Sequence, residues 1–181
     1  MASEIIIRKA ELFDIENITV LKQQVWVSTY AEKGITKEFS DYVLSEFSMY
    51  NTRKSILDID RNLLIAEIEN HLIGCIEISF ASNYPIPSLV NIPEISVLYV
   101  LEKFCGMGVG QKLLEEALLI LKKKHFTAAW LTAYHKNHKA LSFYKKNHFE
   151  MIGITHFEMS ENKYENTILI REIRSENYIH L

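Results

Sequence analysis

The stretch Tyr99-Val100-Leu101-Glu102-Lys103-Phe104-Cys105-Gly106-Met107-Gly108-Val109-Gly110-Gln111 joins two apolar patterns of different period, and its reading decides the fold. Upstream, Glu94–Leu101 reads as a strand whose apolar run suits a buried position. Downstream, Val109, Leu113, Leu114, Ala117, Leu118 and Leu121 form one stripe at helical spacing and predict a helix over Val109–Lys124. Lys122–Lys124 close it at the negative end of its dipole. Three of the chain's six glycines lie between the two patterns, within five residues. Glycine is used where backbone passes close to something or adopts positive φ. A helix start also carries unsatisfied N–H groups and partial positive charge. A diphosphate can therefore lie directly against this turn.

Two familiar phosphate turns do not match. A P-loop needs a lysine and a hydroxyl after its last glycine, whereas Gly110 is followed by Gln111-Lys112-Leu113. A dinucleotide-binding turn needs G-x-G-x-x-G, and the spacing here is G-x-G-x-G.

Outward from this segment, the pattern predicts a strand at Glu4–Arg8 and a helix capped by Asp14 and running to Tyr30. A second helix begins at Thr36 and carries Phe39, Tyr42, Val43 and Phe47; a third covers 51–60. Leu63–Ile68 and Leu72–Phe80 read as strands joined by a turn at Asn70-His71. All three prolines fall within 81–93, which reads as the one substantial loop. Beyond the long helix come a strand at Thr127–Ala133, a helix at Asn137–Asn147, and a strand pair at Phe149–Met159 and Asn166–Ile173. The order implies a mixed α/β single domain around a central sheet.

Composition agrees with this class. The chain has 181 residues, 48% hydrophobic and 24% charged, so a full core is available. Six glycines and three prolines exclude collagen-like and linker-rich chains. A net charge of −3 and a pI near 6.2 lack the basic excess of a nucleic-acid binder. Apolar runs reach about five residues against the ~20 that a membrane span needs. The start is not laid out as a secretory signal, and Cys75 and Cys105 cannot make a disulfide framework. A soluble, cytoplasmic domain without nucleic-acid or membrane partners is expected.

Two segments carry a family resemblance. The glycine turn resembles the acyl-CoA loop of the GNAT superfamily of N-acetyltransferases, [QR]-x-x-G-x-[GA]. Gly108 and Gly110 match it, and Cys105 stands at the usual Gln or Arg. Asn137-His138-Lys139-Ala140-Leu141-Ser142-Phe143-Tyr144-Lys145-Lys146-Asn147-His148-Phe149 resembles the superfamily's N-x-x-A-x-x-F-Y-x-x-x-G-F segment, with His148 at the usual glycine. Asn137, Ala140, Leu141 and Tyr144 share a helix face. Within the superfamily, Gly153–Met159 and Tyr164–Leu169 look most like bacterial spermidine/spermine acetyltransferases, with Asn166 at an expected aspartate.

The resemblance implies a mostly antiparallel central sheet flanked by helices and acetyl-CoA as cosubstrate, with no metal. The pantetheine arm is expected along Leu98, Tyr99 and Val100 like an added strand. The diphosphate is expected on Cys105, Gly106, Met107, Gly108, Val109, Gly110 and Gln111, with Asn137 holding the pantetheine arm. Tyr144 is the expected general acid for the departing thiolate, and Glu94 the favoured base, with Glu77 on the neighbouring strand. Cys105 is reactive in principle but sits at the diphosphate end, away from the acyl carbon. The pair His135 and His138 lacks a third ligand at metal spacing.

The implied activity is acetyl transfer to a primary amine by direct attack in a ternary complex. A small amine or polyamine is favoured over a protein amine. The helices over 14–60 and a 159–165 loop would cover the acceptor, with Glu32, Glu38 and Asp41 able to attract a cation. A non-catalytic acyl-CoA-binding sensor is the alternative. Homodimerisation is compatible with such a fold, though no sequence feature demands it.

Overall fold

The computed structural model describes residues 4–82, 85–160 and 162–173. Its strands are β1 (Ile6–Lys9), β2 (Arg61–Ile68), β3 (His71–Ser79), β4 (Glu94–Val100), β5 (Ala128–Tyr134), β6 (Glu150–Met159) and β7 (Asn162–Glu172). They form one seven-stranded sheet in the order β1-β2-β3-β4-β5-β7-β6. Neighbours run antiparallel except β4 and β5, which are parallel. The helices are α1 (Ile15–Tyr30), α2 (Lys37–Glu46), α3 (Met49–Leu57), α4 (Val109–Lys123) and α5 (His138–Lys146). The architecture is the mixed α/β, mostly antiparallel one that the pattern and the resemblance imply.

The stripe on α4 does what its period predicts. Val109, Leu113, Leu114, Ala117 and Leu121 are buried against Leu64, Ile76, Ile78, Ile95 and Leu131 of the sheet. Each fully buried leucine contributes on the order of 1.5–3 kcal/mol. Helix α4 lies so close to β3 that a Cβ at Gly74 would meet Leu113 Cδ1 at 3.2 Å and Tyr99 O at 3.0 Å. Helix α5 packs on the same side through Phe143 and Tyr144. On the opposite side, Ile18 and Leu21 of α1 cover Leu63, Ile65 and Cys75.

Several boundaries differ from the sequence pattern, and five of the differences have a local reason. Strand β1 starts at Ile6, where pairing with Glu67 of β2 begins, instead of at Glu4. Asp14 is the N-cap residue of α1, as expected, but its side chain bonds no α1 amide: it also ends a 3₁₀ turn (Leu12–Asp14), and its carboxylate accepts from Glu11 N and Arg8 Nη1, each at 2.8 Å. The third helix starts earlier than residue 51, because the Ser48 hydroxyl accepts Asn51 N at 3.3 Å. The β2–β3 turn falls on Glu69-Asn70, both left-handed at φ 49° and 63°, so that His71 belongs to β3. Residues 162–165 belong to strand β7, which pairs Met159 with Asn162 and Phe157 with Tyr164, so the expected 159–165 loop is a hairpin.

Candidate active site

The sheet is split at its parallel join. Strands β4 and β5 share a single paired position, Glu94 with Trp130, beside the bond from Trp130 N to Pro93 O at 3.1 Å. A bulge at Ser96 shifts the register of β4 against β3, between Glu77 and Ile78. Leu101 N donates to Ile73 O at 3.0 Å, and Tyr99 O lies against Gly74, so these residues turn their backbone to β3. By strand alternation, the backbone groups of Leu98 and Val100 face the opening towards β5. Tyr99 instead sends its ring to the α1 side, 6.3 Å from Phe47. Two of the three positions expected to bind an extended arm therefore present free strand edge, and the third does not.

The glycine turn borders this opening. After a 3₁₀ turn (Glu102–Phe104), Gly106 and Gly108 take φ of 83° and 85°, which a side chain rarely tolerates. Helix α4 starts at Val109 without a side-chain cap, and Lys112 N, bonded to Gly108 O at 3.0 Å, is its first amide with a backbone acceptor. The amides of Gly108, Val109, Gly110 and Gln111 thus precede the helical ladder and carry the positive end of its dipole. Cys105 N and Met107 N are turned back onto Glu102 O and Phe104 O. The Cys105 thiol lies 3.8 Å from Val100 O, and partial burial raises its pKa, the reverse of an activated nucleophile.

Helix α5 closes the opening. The Asn137 side chain caps it, accepting Ala140 N at 3.0 Å through Oδ1, which leaves its NH₂ group for other partners. A Cβ on Gly110 would lie 3.6 Å from Phe143 Cζ and 3.8 Å from Val100 Cγ2, so turn, strand and helix converge at this residue. Tyr144 is buried between Phe143 and Phe149, at ring separations of 5.4 and 5.5 Å. Burial, and then the neighbouring Tyr30, push its pKa well above the ordinary phenol value, so it holds its proton near neutral pH. Tyr30 belongs to α1, on the other side of the sheet.

Glu94 stands at the closed end of the split. Burial pushes its pKa from 4.5 up to about 7, and Glu77 adds to this; Ser82 and Arg61 act in the opposite sense. Glu77 itself is held low by the buried Lys22 ammonium, 2.8 Å away, and by Arg61, which outweigh its own desolvation. Glu77 is thereby a poor proton acceptor and Glu94 a suitable one. Glu94 and Tyr144 have separate surroundings. Tyr99, which neighbours Tyr144 electrostatically, stands five residues along β4 from Glu94, roughly 16 Å at strand rise. His135 Nδ1 is engaged with Glu165 O at 3.0 Å.

Opposite α4 and α5, the sheet carries an aromatic face that sequence reasoning did not assemble. Trp26 stacks on Tyr30 at 4.6 Å, Tyr30 lies 4.7 Å from Tyr134, and Tyr42 lies 4.9 Å from Phe157. Phe39, Phe47 and Tyr164 complete it. The signal was present as aromatic residues in 26–47 and 157–164, but their meeting depends on long-range pairing.

A split parallel join, a bare helix start on one face and an aromatic face on the other suit a domain that holds an extended, phosphate-bearing ligand beside a second, smaller one. Residues 26–149 match the Acetyltransferase (GNAT) family, and the chain belongs to that family. It is 28% identical over 165 residues to the spermidine N(1)-acetyltransferase of Thermoplasma acidophilum, covering 88% of this chain and 98% of that one. It is 26% identical to an N-alpha-acetyltransferase of Sulfolobus acidocaldarius, over 82% of this chain and 81% of that one. The fold matches the crystal structure of PaiA N-acetyltransferase from Thermoplasma acidophilum in complex with coenzyme A. That match has a TM-score of 0.74 at 24% identity and covers 93% and 99% of the two chains. Among the described residues, no helix is long and apolar enough to cross a membrane.

Proposed function

We propose that the protein transfers an acetyl group from acetyl-CoA to a primary amine, with a small amine or polyamine favoured. The observation that carries this is the split between β4 and β5, bordered by the uncapped amides at the start of α4. The backbone of Leu98 and Val100 binds the pantetheine arm as an added strand, and the Asn137 NH₂ donates to it. The amides of Gly108–Gln111 take the diphosphate. The bound thioester supplies the acetyl group. The amine nitrogen attacks its carbonyl carbon directly, and a strand N–H of β4 stabilises the charge that forms on oxygen. As the carbon–sulfur bond breaks, Tyr144 gives its proton to the sulfur. Glu94 takes, through water, the proton that the ammonium loses before attack, and the second proton, shed by the nitrogen as the amide forms, returns to Tyr144.

The test is a panel of primary amines with acetyl-CoA, following free thiol and the acetylated amine together. Stoichiometric appearance of both, dependent on the amine, is expected. Tight CoA binding with no amine acetylated overturns the reading in favour of a sensor.

A further inference from the structure

The aromatic face holds two buried oxygens in need of donors. Glu38, in the first turn of α2, gives Oε2 to Asn162 Nδ2 at 2.8 Å, while its Oε1 is out of water without a partner among the described residues. Asn166 of β7 is only 8% exposed, and its Oδ1 is likewise buried and unpartnered. Such atoms are uncommon in folded proteins, and each asks for an explanation. Both here are acceptors.

Asn166 is placed among three tyrosines, and Glu38 stands beside one of them, Tyr164. Asn166 pairs across the sheet with Tyr134, lies two residues from Tyr164 on the same face of β7, and has its amide beside the Tyr30 hydroxyl. Tyr30, Tyr134 and Tyr164 lie within 6.4 Å of one another, ring to ring. The first turn of α2 rests on Tyr164 through Phe39, at 6.2 Å, and the Glu38 carboxylate acts electrostatically on the Tyr164 hydroxyl. The other acidic residues that the sequence offered for a cation are already engaged. Asp41 is bonded to Lys37 at 2.8 Å, and Glu32 lies 3.9 Å from Lys136. Tyr30, at one corner, also neighbours Tyr144, where transfer is proposed.

A ligand group suited to this setting brings several N–H donors and a positive charge, on a thin apolar stem that aromatic rings can cover. An alkylammonium has those properties, and ring faces attract it further. We propose that Glu38, Asn166 and the rings of Tyr30, Tyr134 and Tyr164 form a subsite for the second, non-reacting ammonium of a short diamine or polyamine acceptor. This rests on the acetyltransferase reading and assigns the acceptor's far end.

The experiment compares kcat/KM for 1,4-diaminobutane and 1-aminobutane, which differ by one ammonium. The wild-type protein is expected to favour the diamine by about tenfold or more, the worth of a charge-assisted hydrogen bond. Glu38→Gln keeps the shape and should remove most of that preference. Asp41→Asn, on the same helix, should leave it intact. Asn166→Leu should also reduce the preference, with a lowered Tm because the buried Tyr30 hydroxyl loses its amide partner. A wild type that uses both amines equally, or a Glu38→Gln protein that keeps the preference, overturns the subsite and leaves the acetyltransferase reading standing. If neither amine is acetylated, titration of 1,4-diaminobutane into the CoA-loaded protein decides. Binding weakened about tenfold by Glu38→Gln supports the subsite, and equal binding overturns it.

Discussion

The two faces of the split sheet present chemistry in different currencies. On the α4–α5 face, the groups on offer are backbone: the edge of β4 at Leu98 and Val100, and the amides at the start of α4. On the α1–α2 face they are side chains, with rings and two buried oxygens drawn from α1, α2, β5 and β7. Backbone groups are identical in every residue, so the first face is suited to a ligand that never changes. Side chains differ at every position, so the second is where an acceptor can be chosen. Tyr144 is the exception, a side chain from the first face whose hydroxyl neighbours Tyr30 of the second.

That exception gives the largest expected effect. Tyr144→Phe keeps the ring against Phe143 and Phe149 and removes only the hydroxyl. Turnover should fall about 10²–10⁴-fold, the usual contribution of a positioned acid, while CoA affinity changes by less than about tenfold. Steady-state kinetics beside calorimetry separates the two. Undiminished turnover would make Tyr144 a core aromatic, and a matching loss of CoA affinity would dissolve the distinction between the faces.

Glu94→Gln should act next in size, about tenfold or more on kcat at pH 8. A base with a pKa near 7 gives turnover that rises through pH 7, and the variant should lose that limb. Stability moves the other way. The raised value means that the folded state holds the proton more tightly, so its contribution is full below about pH 4.5 and declines as pH rises through about 7. Removing the charge should therefore stabilise the protein above pH 7, on the order of 3 kcal/mol. A pH–rate profile and thermal melts at pH 5 and 8 check both signs. Parallel profiles for the two proteins would make Glu94 a bystander.

The smallest expected effect lies in the backbone face. His148 occupies the position where the family segment has glycine, and its φ is 61°. His148→Gly should relieve roughly 1 kcal/mol of left-handed strain, raising Tm by about 2–4 °C. A lowered Tm would show that the imidazole contributes packing that outweighs the strain.

The same contrast explains what was legible in the sequence. The α4 stripe and the glycine turn are local patterns, so Val109–Lys123, Gly106 and Gly108 could be read directly. Asn137 and Tyr144 came from the resemblance of the 137–149 segment, which the structure forms as a nine-residue helix with its own cap. The split between β4 and β5 could not be read, since it arises from how two distant segments diverge after Glu94 and Trp130. Nor could the sorting of Glu32, Glu38 and Asp41, which differ only in the partners the fold brings them. The expected loop at 159–165 hid the place of Tyr164 in β7, because a hairpin turn at Ser160, φ 50°, uses no glycine.

The central claim is that bare amides at the start of α4 hold the diphosphate of CoA, and calorimetric titration of CoA into Gly108→Asp tests it most directly. A Cβ at Gly108 meets nothing within 4 Å, and aspartate tolerates its left-handed φ of 85° better than most residues, so the variant should fold. What changes is a negative charge placed where the phosphates are expected to lie. The account predicts a single cooperative melting transition, lowered by about 2–4 °C through strain at φ 85°, with CoA binding reduced below detection. Wild-type CoA affinity in the folded variant would contradict it.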